Sequence, residues 1–181
     1  MAKSIFAGLK EATASMDANY ERPGHYYLLI DACKTGTSRK GDEFCAIEKT
    51  CVHALDDDEG AGHKAGQSLT HMIMMKFDSS LGNIKAFIAG AVGLDQDDID
   101  VESAEAIFAD KDDKEHDQPL SGIVVECKNR NIKTKAGGDF TVVTYVRAVP
   151  AAELIETLAP EIIERYFPND VLTSLAEADA A

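Results

Sequence analysis

Tryptophan is absent from this chain and aromatic residues make up only 7% of it, so a surface that holds a ligand by ring stacking must manage with few rings. Positive charge is scarce too. The 18 Lys and Arg stand against 32 Asp and Glu, a net charge of -14, which argues against a generally basic, histone-like nucleic-acid binder. That balance still fits a confined cationic stripe on an acidic body, simple solubility, or mimicry of a nucleic acid. The only cysteines are Cys33, Cys45, Cys51 and Cys127. None lies in a CxxC unit, which points to reduced, buried thiols in a cytoplasmic protein. No apolar run approaches the roughly 20 residues of a membrane span. The apolar part of residues 1–12 is too short before Lys10 and Glu11 for a signal peptide. A soluble, cytoplasmic chain is expected.

Signatures of chemistry are missing as well. There is no glycine-rich phosphate loop, and His25, His63, His71 and His116 sit near no nucleophile signature. Cys45, Cys51 and His53 match no standard zinc spacing. The segment from Asp95 to Asp100 lacks the Gly at position six and the Glu at position twelve of a calcium loop. Neither catalysis nor a metal or other cofactor is expected.

What the chain does contain is two similar basic loops. Lys34-Thr35-Gly36-Thr37-Ser38-Arg39-Lys40-Gly41-Asp42 is closed by Phe44, and Lys133-Thr134-Lys135-Ala136-Gly137-Gly138-Asp139 is closed by Phe140. Each opens on Lys-Thr, ends on Gly-Asp, and lies between runs of alternating apolar and polar residues, the pattern of a β-hairpin with a loop longer than two residues. Taken singly, both are ordinary solvated hairpin tips.

With 45% hydrophobic residues in 181, the chain can bury a core without disulfides or metals. Residues 4–18 read as an amphipathic helix carrying Ile5, Leu9, Ala12 and Met16 on one face. Strands are expected over 25–34, with Tyr26, Leu28, Ile30 and Ala32 on one face, and over 44–53. A third, over 69–77, has Met72 and Met74 opposite its apolar face and so is expected to be covered on both sides. A helix follows, capped by Ser79 or Ser80 and ended by Gly93, with Gly82 and Gly90 allowing close packing on a sheet. Residues 94–121 are strongly acidic and hold a short helix over 101–109. Strands over 122–133 and 140–149 then flank the second basic loop. Beyond them, Pro160 divides a helical segment marked by Leu154, Leu158 and Ile162. The expected organisation is an N-terminal helix in 1–22, a β domain in 23–149 with the acidic insert 94–121, and a helical extension in 150–181.

Strand, basic loop, strand, strand, helix, strand, basic loop, strand is the element order of an OB-fold, a five-stranded, partly open barrel with a helix after strand three. There, the first-to-second and fourth-to-fifth strand loops flank a face that binds oligonucleotides. The expected class is therefore mainly β with helices, built on an OB-like barrel whose two basic loops form the lips of one groove. An unrelated β-sandwich fragment has the same periodicity.

Several stretches carry a resemblance: Pro23-Gly24-His25-Tyr26-Tyr27 before strand one, the Lys-Thr and Lys-Gly-Asp loop, the helix end Ala91-Val92-Gly93-Leu94, and Pro119-Leu120-Ser121-Gly122-Ile123-Val124-Val125 ahead of an Asn-rich hairpin. Over residues 22–149 the chain resembles bacteriophage single-stranded DNA-binding proteins of the OB type. That resemblance implies sequence-independent coating and protection of single-stranded DNA in replication or recombination, with recruitment of phage replication enzymes. Two features depart from the pattern. The terminus Ala176-Glu177-Ala178-Asp179-Ala180-Ala181 is only mildly acidic and has no terminal aromatic, and the acidic insert is long. Contacts with replication or recombination proteins are therefore expected through the insert, and the terminal helices are candidates for self-association.

Single strands are held by cations that track phosphates and by rings on which bases stack. The candidate cations are Lys34, Arg39, Lys40, Lys128, Arg130, Lys133, Lys135 and Arg147, with Lys128 and Arg130 projecting to the same side. The candidate rings are Tyr27, Phe44, Phe140 and Tyr145, each with a competing place in the core. Tyr145 leads because Arg147 stands two positions on. The alternatives are an acidic interaction protein, acting as a DNA mimic or an inhibitor of a host nucleic-acid enzyme through residues 95–117, and a virion assembly module.

Overall fold

A computed structural model describes residues 21–56, 62–110, 113, 115–133 and 137–167. The expected N-terminal helix, Lys135 and the last fourteen positions, 168–181, lie outside the described residues. The protein is mainly β: a six-stranded sheet accompanied by several helices. Strands β1 (Gly24–Thr37), β2 (Glu43–Asp56) and β3 (Ser68–Met74) precede helices α1 (Ser80–Val92) and α2 (Val101–Ile107), with a single 3-10 turn, Gln96–Asp98, between the helices. The two-residue β4 (Ala109–Asp110), then β5 (Val124–Lys133), β6 (Asp139–Ala148), α3 (Ala151–Thr157) and α4 (Pro160–Tyr166) complete it.

The five long strands run in the order β3-β2-β1-β5-β6, each antiparallel to its neighbours. β1 is central. β2 lines one of its edges, while the other edge is shared between β5, opposite Gly24 to Leu29, and β4, parallel to Lys34 and Thr35. Where those partners change over, the Gln118 side-chain amide accepts a hydrogen bond from the Cys33 backbone N–H at 2.7 Å and satisfies the ladder. Three register shifts along the β1–β2 pair, the last between Ile30 and Ala32, bend the long hairpin. That last shift interrupts the simple alternation expected of the strand and puts Cys33 in the same core as Ile30.

The two sheet faces bury separate cores. On the inner face Tyr26, Leu28, Ile30, Ile47, Cys51 and Val125 pack against Ile84, Phe87 and Ile88 of α1. On the outer face Tyr27, Leu29, Val52 and Val124 are covered by Leu154, Leu158 and Phe167 from the α3–α4 segment. Pro160, at the first turn of α4, divides that segment as expected. Helix α1 ends at Gly93, whose φ of 79° is the left-handed cap conformation. Its Ser80 hydroxyl donates to the Met74 carbonyl at 2.6 Å, joining helix to strand instead of capping the helix end.

One expectation needs correction. β3 stops at Met74, and among the described residues nothing covers its outer side: Met72 is 51% exposed and Phe77, beyond the strand, is 57% exposed. The sheet is not closed into a barrel: among the described residues no backbone pairing joins β3 to β6, which leaves a seam between these two edge strands. Helix α1 takes up that gap. A Cβ at Gly90 would lie 2.8 Å from the Tyr145 carbonyl oxygen, so only glycine lets the helix rest directly on the β6 backbone. Across the seam the contact is between side chains, with Tyr145 and His71 stacked at 5.8 Å and hydrogen-bonded at 2.8 Å.

Candidate nucleic-acid interface

The register of the central strand places the two basic loops. β1 begins at Gly24 opposite Asn129, so residues 130–133 of β5 and their β6 partners run past the end of β1 as a two-stranded ribbon. The 38–42 turn follows the other end of β1. Fourteen strand residues give β1 a contour on the order of 45 Å, the ribbon extends beyond it, and α3 and α4 cover part of the outer face. The loops are thus not the facing lips of a single short groove.

Along β5, Lys128, still opposite His25 of β1, and then Arg130 and Ile132 on the ribbon alternate along one face, opposite Thr144, Val142 and Phe140 of β6 respectively. Phe140 is 57% exposed and Ile132 40%, a cross-strand apolar pair open to solvent. Lys128 and Arg130 do project to the same side and are exposed. Lys128 lies 4.0 Å from Glu126, Lys133 is paired with Asp139 at 2.6 Å, and Arg130 has no ion pair among the described residues.

The first loop is a tight turn organised by Ser38. Its backbone N–H donates to the Asp42 carbonyl at 2.8 Å, its carbonyl accepts from Gly41 at 2.9 Å, and its hydroxyl oxygen accepts from the Asp42 N–H at 3.1 Å. Arg39 and Lys40 are exposed at the tip without an ion pair among the described residues. Lys34 is held by Glu48 at 2.7 Å. Phe44 is half-buried with its ring against Gly36, where a Cβ would come within 2.8 Å of it.

Three expected binders are otherwise engaged. Tyr145, the leading stacking candidate, is 8% exposed, and Tyr27 is 4% exposed; neither ring presents a face to a base. Each lies under a helix, Tyr145 beneath α1 and Tyr27 in the core below α3 and α4. Arg147 is clamped by two carboxylates. It forms a paired contact to Glu153 at 2.7 and 2.8 Å and a third to Glu126 at 2.9 Å, while the Tyr27 hydroxyl donates to the same Glu153. The bond to Glu153 pushes the Arg147 pKa up, and Arg147, followed by Tyr27, holds Glu153 below the usual carboxylate range. This cluster ties α3 to the sheet, so its charge is not offered to a phosphate.

Sequence reasoning also missed a buried polar chain inside the sheet. The Lys49 ammonium, fully buried, donates to the Glu21 carboxylate and to the Tyr145 hydroxyl oxygen at 3.1 Å. Tyr145 in turn donates to His71 Nδ1 at 2.8 Å, while Asn129 Nδ2 donates to Glu21 at 2.9 Å. His63 Nε2 accepts from the Arg22 backbone at 2.8 Å, so this imidazole is neutral, with its proton on Nδ1 facing Gln67. Burial raises the Glu21 pKa, but the Lys49 ammonium outweighs it and leaves the carboxyl below its usual range. Burial, reinforced by Lys49, pushes His71 down to about 4, and burial also lowers His63. Tyr145 is pushed well above its ordinary value by burial. The one legible signal was polar residues, Lys49 and His71, at inward positions of alternating strands.

All four cysteines are buried free thiols, as expected, and burial pushes Cys33, Cys51 and Cys127 up to about 12. Among the described residues no three His, Cys, Asp or Glu side chains converge as a metal site, and no helix is long and apolar enough to cross a membrane. No protein-family model and no curated protein sequence matches the chain.

Proposed function

We propose that this chain is a non-enzymatic single-stranded DNA-binding protein of the OB type, acting in phage-style DNA replication or recombination. The observation that carries the reading is the ribbon beyond β1. Its exposed face sets a cation, Arg130, near an exposed ring, Phe140, with Lys128 on the same side of β5 where the ribbon joins the sheet, the combination that grips phosphates and stacks bases without reading sequence. The strand order adds support, because a central first strand flanked by the second and fourth long strands, with a helix at the seam, is the layout of an open OB barrel. The 38–42 turn, bearing Arg39 and Lys40, is a second cationic contact further along the same strand of DNA. The acidic remainder of the surface repels polyanions and confines binding to these patches.

The test is a fluorescence-anisotropy titration with labelled oligo-dT and a duplex of equal length. Tighter binding to the single strand, weakening steeply with salt, is expected. Absence of binding at low salt overturns the reading and leaves the acidic interaction protein as its replacement.

A further inference from the structure

Helices α1 and α2 enclose between them an apolar slot of about 360 Å³ that plays no part in the nucleic-acid interface. Cys45, Met75, Ile84 and Phe108 line it, and Leu81 and Val101 form its lips. Those lips are 66% and 72% exposed, although covering an aliphatic side chain of this size contributes about 1.5–3 kcal/mol. A recess of a few hundred Å³ with apolar walls is the size and character of a binding pocket, and clustered exposed apolar residues mark interaction surfaces.

The rim is predominantly acidic. Asp100 and Glu105 border the slot, and Asp97, Asp98 and Glu102 flank them in sequence, all exposed and without an ion pair among the described residues. Lys85 is the only cation among the lining residues. A neutral small molecule would use the walls but not this rim, and a nucleic acid would be repelled by it. A segment with aliphatic anchors on one face and cations around them uses both.

We propose that this slot docks a cationic amphipathic helix of a partner protein, its aliphatic side chains inserted between Leu81 and Val101 and its ammonium groups beside the α2 carboxylates. The proposal does not rest on single-strand binding. Arg130 and Phe140 are on the ribbon, so the two activities are separable by mutation.

The test uses the full chain and a fluorescein-labelled, 14-residue helical peptide of leucine and lysine. Two controls accompany it, one with each leucine replaced by serine and one with each lysine replaced by glutamate. The expected result is saturable binding of the leucine-lysine peptide alone, with NMR shifts centred on Cys45, Met75 and Ala104. Replacing the exposed lips together, Leu81→Ser and Val101→Ser, should weaken it about tenfold or more. Glu102→Gln with Glu105→Gln should weaken it a few-fold at low salt. Oligo-dT should not displace the peptide. Equal binding of the serine peptide, equal binding of the glutamate peptide, wild-type affinity in the lip variant, or shifts centred on the ribbon would each overturn the proposal. So would equally tight binding of 1-octanol at the slot, which would make it a small-molecule site.

Discussion

At Tyr145 one hydroxyl accepts from a buried ammonium and donates to a neutral imidazole. Tyr145→Phe keeps the ring but leaves Lys49 one acceptor short and His71 Nδ1 without its donor. Stability should fall by about 1–3 kcal/mol in urea denaturation, with single-strand affinity unchanged, because the ring is not a stacking platform. Unchanged stability would mean that water or another side chain replaces the hydroxyl. Gly90 is a second single-residue test. With a Cβ only 2.8 Å from the Tyr145 carbonyl oxygen, Gly90→Ala must lift α1 from β6. A loss of about 1–3 kcal/mol is expected, despite the better helix propensity of alanine. Gly82→Ala, with nothing within 4 Å, should stabilise slightly and serves as the control.

At the scale of elements, two parts of the β5–β6 hairpin should respond differently to charge reversal. Arg130 sits on the ribbon without an ion pair among the described residues, so Arg130→Glu should weaken oligo-dT binding about tenfold at low salt and reduce the steepness of its salt dependence, without changing the melting temperature. Phe140→Ala should cost about 1–3 kcal/mol of binding if a base stacks there. Arg147→Glu, by contrast, breaks the clamp on Glu153 and Glu126 and leaves those carboxylates facing a third. It should lower the melting temperature by releasing α3, and calorimetry beside anisotropy separates the two effects. If Arg147→Glu abolishes binding while stability is kept, the interface extends further along the sheet than the ribbon.

For the whole molecule, the buried chain makes stability depend on pH in the acid direction. His71 has a folded pKa of about 4 against an ordinary 6.5, so between these values the unfolded chain takes up a proton that the native state refuses. Stability should therefore decline as pH falls from about 6.5 towards 4, by on the order of 3 kcal/mol. Glu21, held low by Lys49, adds a further loss when pH falls through its folded value, below the usual carboxylate range. Melting temperatures between pH 7.5 and about 3 check this, and His71→Gln should flatten the profile in the upper part of that window. An unchanged profile would assign the acid sensitivity elsewhere.

Much of the frame was legible in the residues themselves. Period-two alternation marked the long strands, Gly93 and Pro160 marked a helix end and a helix division, and the spacing of Lys128 and Arg130 placed both on one side of a strand. These are local properties, set by backbone geometry within a few residues. Single-sequence reasoning does not reach what depends on register and on packing across the sheet. The register shift before Ala32 put Cys33 in the core of Ile30, and the offset of β5 against β1 carried the second hairpin past the start of the central strand. The fold-back of α3 and α4 covered Tyr27, and the seat of Gly90 on β6 put α1 over Tyr145. Whether an aromatic on an alternating strand faces solvent or the interior depends on which helix lies over that face, and only the tertiary structure decided it.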